Sequence, residues 1–178
     1  MKSFSHIMRT AINEDVSDRI DVSVVLATLY KRYAEEVLQW YHYNTVAMFM
    51  CGKERPNIEK AFAEMAEDEL NDHAAKILKR INELGGDIEV LKDINVLKEL
   101  SDCVYGIPQK PYDTPQLVMM NIEHEKCAIK GYQELCDLTH GKDMTTYEMS
   151  VSILADEEEH LQTLKDYLAD IEYSLQNE

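Results

Sequence analysis

The sequence predicts an all-α fold: a four-helix bundle made of two helical hairpins joined by a long crossover between the second and third helices. Three observations lead there. Glycine and proline are scarce, 6 and 4 of 178 residues, while 45% of the chain is hydrophobic, which suits continuous helices around a sizeable core. Four long stretches place apolar residues in steps of three and four, the helical period. The breaks between them carry turn chemistry: CGKERPN at 51 to 57, ELGGD at 83 to 87 and HGKD at 140 to 143. Residues 1–178 are read as one domain.

The first helix is expected over about residues 20–50, with an inward stripe of Leu26, Leu29, Tyr33, Glu36, Trp40, Tyr43, Ala47 and Met50. The second, about 57–84, carries Ile58, Phe62, Met65, Glu69, His73, Ile77, Ile81 and Leu84. Residues 87–114 form the crossover, long enough to traverse the bundle, with a short helix expected around Val90 to Leu100. Asp113 or Thr114 ahead of Pro115 starts the third helix, about 115–140, whose stripe is Val118, Ile122, Glu125, Ile129, Tyr132 and Cys136. The fourth, about 144–174, shows Ile153, Glu157, His160 or Leu161, Leu164, Leu168, Ile171 and Leu175.

Each stripe therefore aims one carboxylate inward near mid-length. A buried, isolated carboxylate costs several kcal/mol, about 3 or more in effective terms, so four together call for compensating cations. The halves also look duplicated. Glu36 is followed seven residues on by Tyr43, then by Glu69 and His73; Glu125 is followed seven on by Tyr132, then by Glu157 and His160. The paired glutamates lie 33 residues apart in the first half and 32 in the second. A Glu and a His three or four residues apart share one helix face, so two packed halves would supply four Glu and two His, the ligand set of a carboxylate-bridged di-iron or di-manganese site.

The acidic run in ILADEEEH divides by helical phase: Glu157 and His160 continue the stripe, Asp156 and Glu159 fall toward solvent, and Glu158 sits at its edge, within reach of a ligand. Tyr43 and Tyr132 are expected to pack or to hydrogen-bond a ligand carboxylate. His6, His42, His124 and His140 have no stripe partner and are expected at the surface, with His42 and His124 the two that could lie behind the site. Most of the nine methionines read as core filler.

Composition closes off other classes. A formal net charge of −16 repels phosphate backbones and attracts cations, and Lys2 and Arg9 near the N-terminus do not reverse that, so nucleic acid is not expected as a partner. No apolar run is long enough for a membrane span, and MKSFSHIMRT lacks the apolar core of a secretory signal; the expected location is the cytoplasm. Cys51, Cys103, Cys127 and Cys136 are too irregular for a disulfide scaffold and include no CxxC, so any disulfide would be a redox event.

The segments AEEVLQWYHY, EDELNDHAAKILKRINELGG, EHEKCAIKGYQELCDLTHGKD and ILADEEEH resemble the ferritin-like superfamily, and within it the Dps-like ferritins, or thioferritins, with a bacterioferritin-like di-iron site. The resemblance covers most of the chain. It implies a ferroxidase that uses hydrogen peroxide to oxidise Fe(II) inside each bundle and stores ferric mineral in a hollow, dodecameric homo-oligomer. Carried over by position, the iron ligands would be Glu36, Glu69, His73, Glu125, Glu157 and His160, with Glu67 as a substitute for Glu69. The family's thiol pair would be Cys103 and Cys127. Cys127 lies roughly 200° around the helix from Glu125, so it is expected to report on the site's redox state rather than bind metal, and Cys136 is roughly 16 Å along the axis. Two departures stand out: Glu69 to His73 is a four-residue step where Glu157 to His160 is three, and Leu70 stands where haem-binding bacterioferritins carry methionine, so no haem is expected. Two other readings remain open at this level: a rubrerythrin-type di-iron peroxidase or oxidase without storage, and a non-catalytic helical assembly whose carboxylates buffer metal.

Overall fold

The computed structural model describes residues 16–106, 110 and 112–177, and among these there is no strand. Helix α1 spans Val22–Ala47. Helix α2, Arg55–Glu67, runs without a break into a π-helical segment, Asp68–Ala74, and on into α3, Ala75–Glu83. A 3-10 turn, Ile88–Leu91, and the short helix α4, Ile94–Leu100, lie in the crossover. The second hairpin is α5, Thr114–Thr139, and α6, Met144–Gln176. The expected short helix is thus split into a tight turn and two helical turns. Lys2, His6 and Arg9 lie outside the described residues.

Aspartate opens each hairpin-forming helix that has a side-chain cap. Asp21 accepts from the Ser23 amide at 2.9 Å, Asp113 from Gln116 at 3.2 Å and Asp143 from Thr146 at 3.2 Å, each satisfying a first-turn N–H that the helix itself cannot. At the other end of the first hairpin, Gly85 adopts φ +80°, its amide reaching Asn82 O and that of Gly86 reaching Ile81 O. This paired closure needs a left-handed residue, which glycine supplies without a Cβ clash.

The core has two large apolar clusters, and a small third one of Ala34, Leu38 and Leu97 lies between α1 and the crossover. One large cluster gathers Tyr43, Met50, Phe62, Met65, Val118 and Leu164; the other gathers Leu29, Ile77, Ile81, Tyr132, Leu135 and Ile153. Between them runs a belt of buried polar residues, to which all four bundle helices contribute. Glu36 and Tyr43 face Tyr132 and Glu125, which makes α1 and α5 antiparallel. Leu175, expected in the inner stripe, is 63% exposed because α6 outlasts its neighbours.

The crossover is pinned over α1 and α5. A disulfide joins Cys103 to Cys127, the Asp102 amide donates to Glu35 Oε1 at 2.9 Å, and Arg32 Nη2 donates to the same oxygen. The Arg32 guanidinium crosses α5 at Gly131, where any Cβ would overlap it. His42 and His124 therefore do not lie at the surface. They are 3% and 5% exposed, packed edge-to-face at 4.5 Å, with Tyr105 of the crossover 4.6 Å from His124. Burial drives both imidazoles down, to about 3 and about 4, so they are neutral.

Candidate metal centre

Glu36, Glu69, His73, Glu125, Glu157 and His160 all lie in the belt, each no more than 7% exposed. They form two groups of possible ligand atoms, each within 4.8 Å: Glu36, Glu69, His73 and Glu157; and Glu69, Glu125, Glu157 and His160. Glu69 and Glu157 belong to both groups, and their two oxygens divide between them. His73 Nδ1 is 3.4 Å from Glu69 Oε2 and 3.3 Å from Glu157 Oε1, whereas His160 Nδ1 is 3.5 Å from Glu69 Oε1 and 3.6 Å from Glu157 Oε2. Glu36 Oε2 reaches His73 Nδ1 at 3.3 Å. Glu69 and Glu157 thus each turn one oxygen toward either histidine, while Glu36 and Glu125 each belong to a single group.

The π-helical segment explains the four-residue step from Glu69 to His73. In an α-helix four residues overshoot one turn by about 40°, and the second helix makes four such steps in succession from Met65 to Ile81. Uncorrected, that drift would carry Ile77 and Ile81 off the core face. The wider turn over Asp68–Ala74 absorbs it, leaving Met65, Glu69, His73, Ile77 and Ile81 all buried.

The two carboxylates that belong to a single group, Glu36 and Glu125, are each fixed by the opposite hairpin. Tyr43 donates to Glu125 Oε1 and Tyr132 to Glu36 Oε1; Gln39 Nε2 adds a second bond to Glu125 Oε1 at 3.1 Å. Both phenols are fully buried and pushed well up in pKa, by burial first and then by Glu125 and Glu36 respectively, so they remain donors. The imidazoles are fixed the same way. His73 Nε2 lies 3.4 Å from Asp156 Oδ2 and His160 Nε2 lies 3.4 Å from Asp68 Oδ2, which orients each Nδ1 toward the centre.

Two readings of the acidic run are thereby corrected. Asp156 is half-exposed but contacts His73 instead of simply facing solvent, while Glu158 is exposed, as is Glu159. Glu67, the alternative to Glu69, is also exposed. Gln39, Asp68 and Asp156 are the site residues that periodicity alone missed. A signal for the two aspartates was present: each directly precedes a shared glutamate, and each meets the histidine of the other hairpin.

The donor set suits cations. Glu69 Oε1, Glu125 Oε2, both Glu157 oxygens and His160 Nδ1 are buried without a hydrogen bond, an arrangement that costs about 1–3 kcal/mol or more for each such group. Burial, followed by repulsion from Glu157, raises Glu69 and Glu125 well above the carboxylate range. Burial also pushes Glu157 up, but His160 and His73 outweigh it and hold Glu157 low; burial lowers His160, which Glu157 and Glu125 nevertheless raise to about 9. The cluster thus retains protons where divalent ions could replace them. Hard carboxylates with borderline imidazoles suit iron, manganese or zinc.

The chain resembles known proteins over most of its length. The sequence profile described as "Ferritin-like domain" matches residues 26–174. A protein named DNA protection during starvation protein, from Pyrococcus furiosus, is 34% identical over 142 residues, covering 79% of this chain and 75% of its own. The structure of the bacterioferritin-related protein from Bacteroides fragilis, described as a dodecameric thioferritin, superposes with a TM-score of 0.88 at 36% identity, covering 93% of this chain and 96% of that one. Dps from Listeria monocytogenes shares the fold at a TM-score of 0.75 and 16% identity, over 82% and 93% of the two chains.

Proposed function

Starting from the fact that the chain belongs to the ferritin-like family, we propose that it is a ferroxidase that consumes Fe(II) and hydrogen peroxide at this centre and stores the ferric product in a homo-oligomeric cage. The observation that carries this reading is the division of the Glu69 and Glu157 oxygens between two neighbouring groups of ligands.

In this reading Glu36 and His73 hold one Fe(II), Glu125 and His160 hold the other, and Glu69 and Glu157 serve both. Carboxylates favour the higher ferric charge, which lowers the cost of electron loss. Two Fe(II) substrates side by side supply together the two electrons that, with two protons from solvent, reduce one hydrogen peroxide to two waters, so no one-electron step need release hydroxyl radical. The chain's own contribution is placement. Tyr43, Gln39 and Tyr132 hold the terminal carboxylates, Asp68 and Asp156 hold the imidazoles, and the flanking apolar clusters limit access by bulk water.

A dodecamer like that of the Bacteroides relative would concentrate Fe(II) through the −16 charge on each chain and give the product a cavity. The Pyrococcus relative is named for protecting DNA. In this chain the same acidity favours protection by removing Fe(II) and peroxide over protection by coating DNA. The test is stopped-flow mixing of Fe(II)-loaded protein with peroxide, comparing the wild type with a chain carrying both Glu69→Ala and Glu157→Ala. The proposal expects oxidation in the variant to fall to the rate without protein; equal rates would refute it.

A further inference from the structure

The Cys103–Cys127 disulfide borders a surface pocket of about 390 Å³, within the range that holds small molecules. Both cysteines line it, with Val104, Gln116, Met119 and Met120. We propose that this pocket is a thiol–disulfide exchange site for a small neutral or cationic thiol, which attacks Cys127 and releases Cys103.

Access selects the sulfur that is attacked. Cys103 is buried at 8% exposure, whereas Cys127 is only half-buried. Attack by a thiolate on Cys127 forms a mixed disulfide there and expels Cys103 as a thiolate. A second molecule of the thiol attacks the mixed disulfide, leaving as the oxidised dimer of the reagent. Two electrons pass from two thiols into the protein disulfide, and the two cysteine thiolates take up the protons the reagents lost. The reaction makes no use of the metal centre, so it stands or falls apart from the ferroxidase reading.

The surroundings suit a bond that opens and re-forms. Cys103 stays anchored when it is cut: its amide donates to Ser101 Oγ at 3.0 Å, the Asp102 amide donates to buried Glu35 at 2.9 Å, and His124 Nε2, facing a carbonyl, donates to Val104 O at 3.1 Å. These contacts hold the crossover against α1 and α5 without the covalent link, keeping the two thiols within reach of each other. The other cysteines do not compete for the pocket, since Cys51 and Cys136 line no part of it. Charge sets the reagent class: Glu123 borders the pocket and the chain carries −16, which disfavours an anionic thiol.

The experiment uses the full chain with Cys51→Ser to silence the exposed thiol. The oxidised protein is mixed with cysteamine, 2-mercaptoethanol or 3-mercaptopropionate, quenched by alkylation and read by mass spectrometry, with rates corrected for thiolate fraction. Cysteamine and mercaptoethanol should reduce the bond in the folded protein at least about 10-fold faster than mercaptopropionate, with the transient adduct on Cys127. Met120→Trp, and separately Met119→Trp, should slow cysteamine about 10-fold while circular dichroism stays native. The proposal is overturned by equal rates for the three thiols, by an adduct on Cys103, by unchanged rates in both folded tryptophan variants, or by reduction only in denaturant. A protein dithiol that outpaces every small thiol, and is equally fast in the tryptophan variants, would overturn it as well.

Discussion

Tyr43 on α1 gives its hydroxyl to Glu125 on α5, and seven residues after Glu125, Tyr132 returns the same bond to Glu36 on α1. Each hairpin thus fixes a buried carboxylate of the other. Replacing Tyr132 by Phe leaves Glu36 Oε1 without its donor, at a cost of about 1–3 kcal/mol, and frees the carboxylate to swing. Titration with Co(II), followed by its visible spectrum, should show one of two sites weakened by about 10- to 100-fold. Tyr43→Phe should weaken the other site less, because Gln39 still holds Glu125.

The aspartates behind the histidines make a crossed prediction. Asp156→Asn on α6 should weaken binding at the His73 half of the centre, and Asp68→Asn at the His160 half, each by about 10- to 100-fold. Isothermal titration with Zn(II) separates the two steps. A uniform loss at both would show that the aspartates act through general charge and not through the imidazole each one touches.

The π-helical turn predicts a tolerated deletion. Asn71 is exposed inside it, and removing one residue there gives Glu69 and His73 the three-residue step of Glu157 and His160. The flanking helices keep their phase, because the wide turn already absorbs the extra residue. The deletion variant should melt no lower than the wild type; a fall of about 2–4 °C, which is about 1 kcal/mol in a domain of this size, would mean that the turn does not act as an absorbed insertion.

Away from the centre, Arg80 Nη2 meets Asp143 Oδ1 at 2.7 Å, with both side chains buried, and Asp143 also caps α6 through Thr146. Asp143→Ala should cost about 1.5–3 kcal/mol in unfolding free energy, since it removes a charged hydrogen bond from the buried guanidinium, which keeps Glu83 and Thr146 as partners. Burial raises the Asp143 carboxyl, but its bonds to Thr146 and Arg80 outweigh that and hold it below its ordinary value of 3.8. The folded form therefore binds its proton more weakly than the unfolded one. The stabilisation is complete above about pH 4 and is lost as pH falls through the lowered value. Urea melts should show the gap between wild type and Asp143→Asn closing on acidification; a constant gap would contradict the assignment.

The helices and the six buried Glu and His residues were legible because a bundle helix announces its inner face by period, and an acid on that face stands out. The run of four-residue steps from Met65 to Ile81 held the trace of the π-helical turn, but a stripe drawn by eye hides an accumulating angle. His42 and His124 read as surface residues because periodicity describes a helix against its bundle partners. They are covered by Tyr105 and its neighbours in a crossover that has no period. Asp156 read as solvated for a related reason: phase within α6 says nothing about an imidazole arriving from the other hairpin.

The central claim is that two metal ions sit side by side, sharing Glu69 and Glu157. Anomalous diffraction at the iron edge, from crystals soaked anaerobically in Fe(II), tests it most directly. The account predicts two peaks per chain, one beside Glu36 and His73 and one beside Glu125 and His160, with Glu69 and Glu157 touching both. A single peak, or iron bound elsewhere while these six side chains remain unliganded, would contradict it.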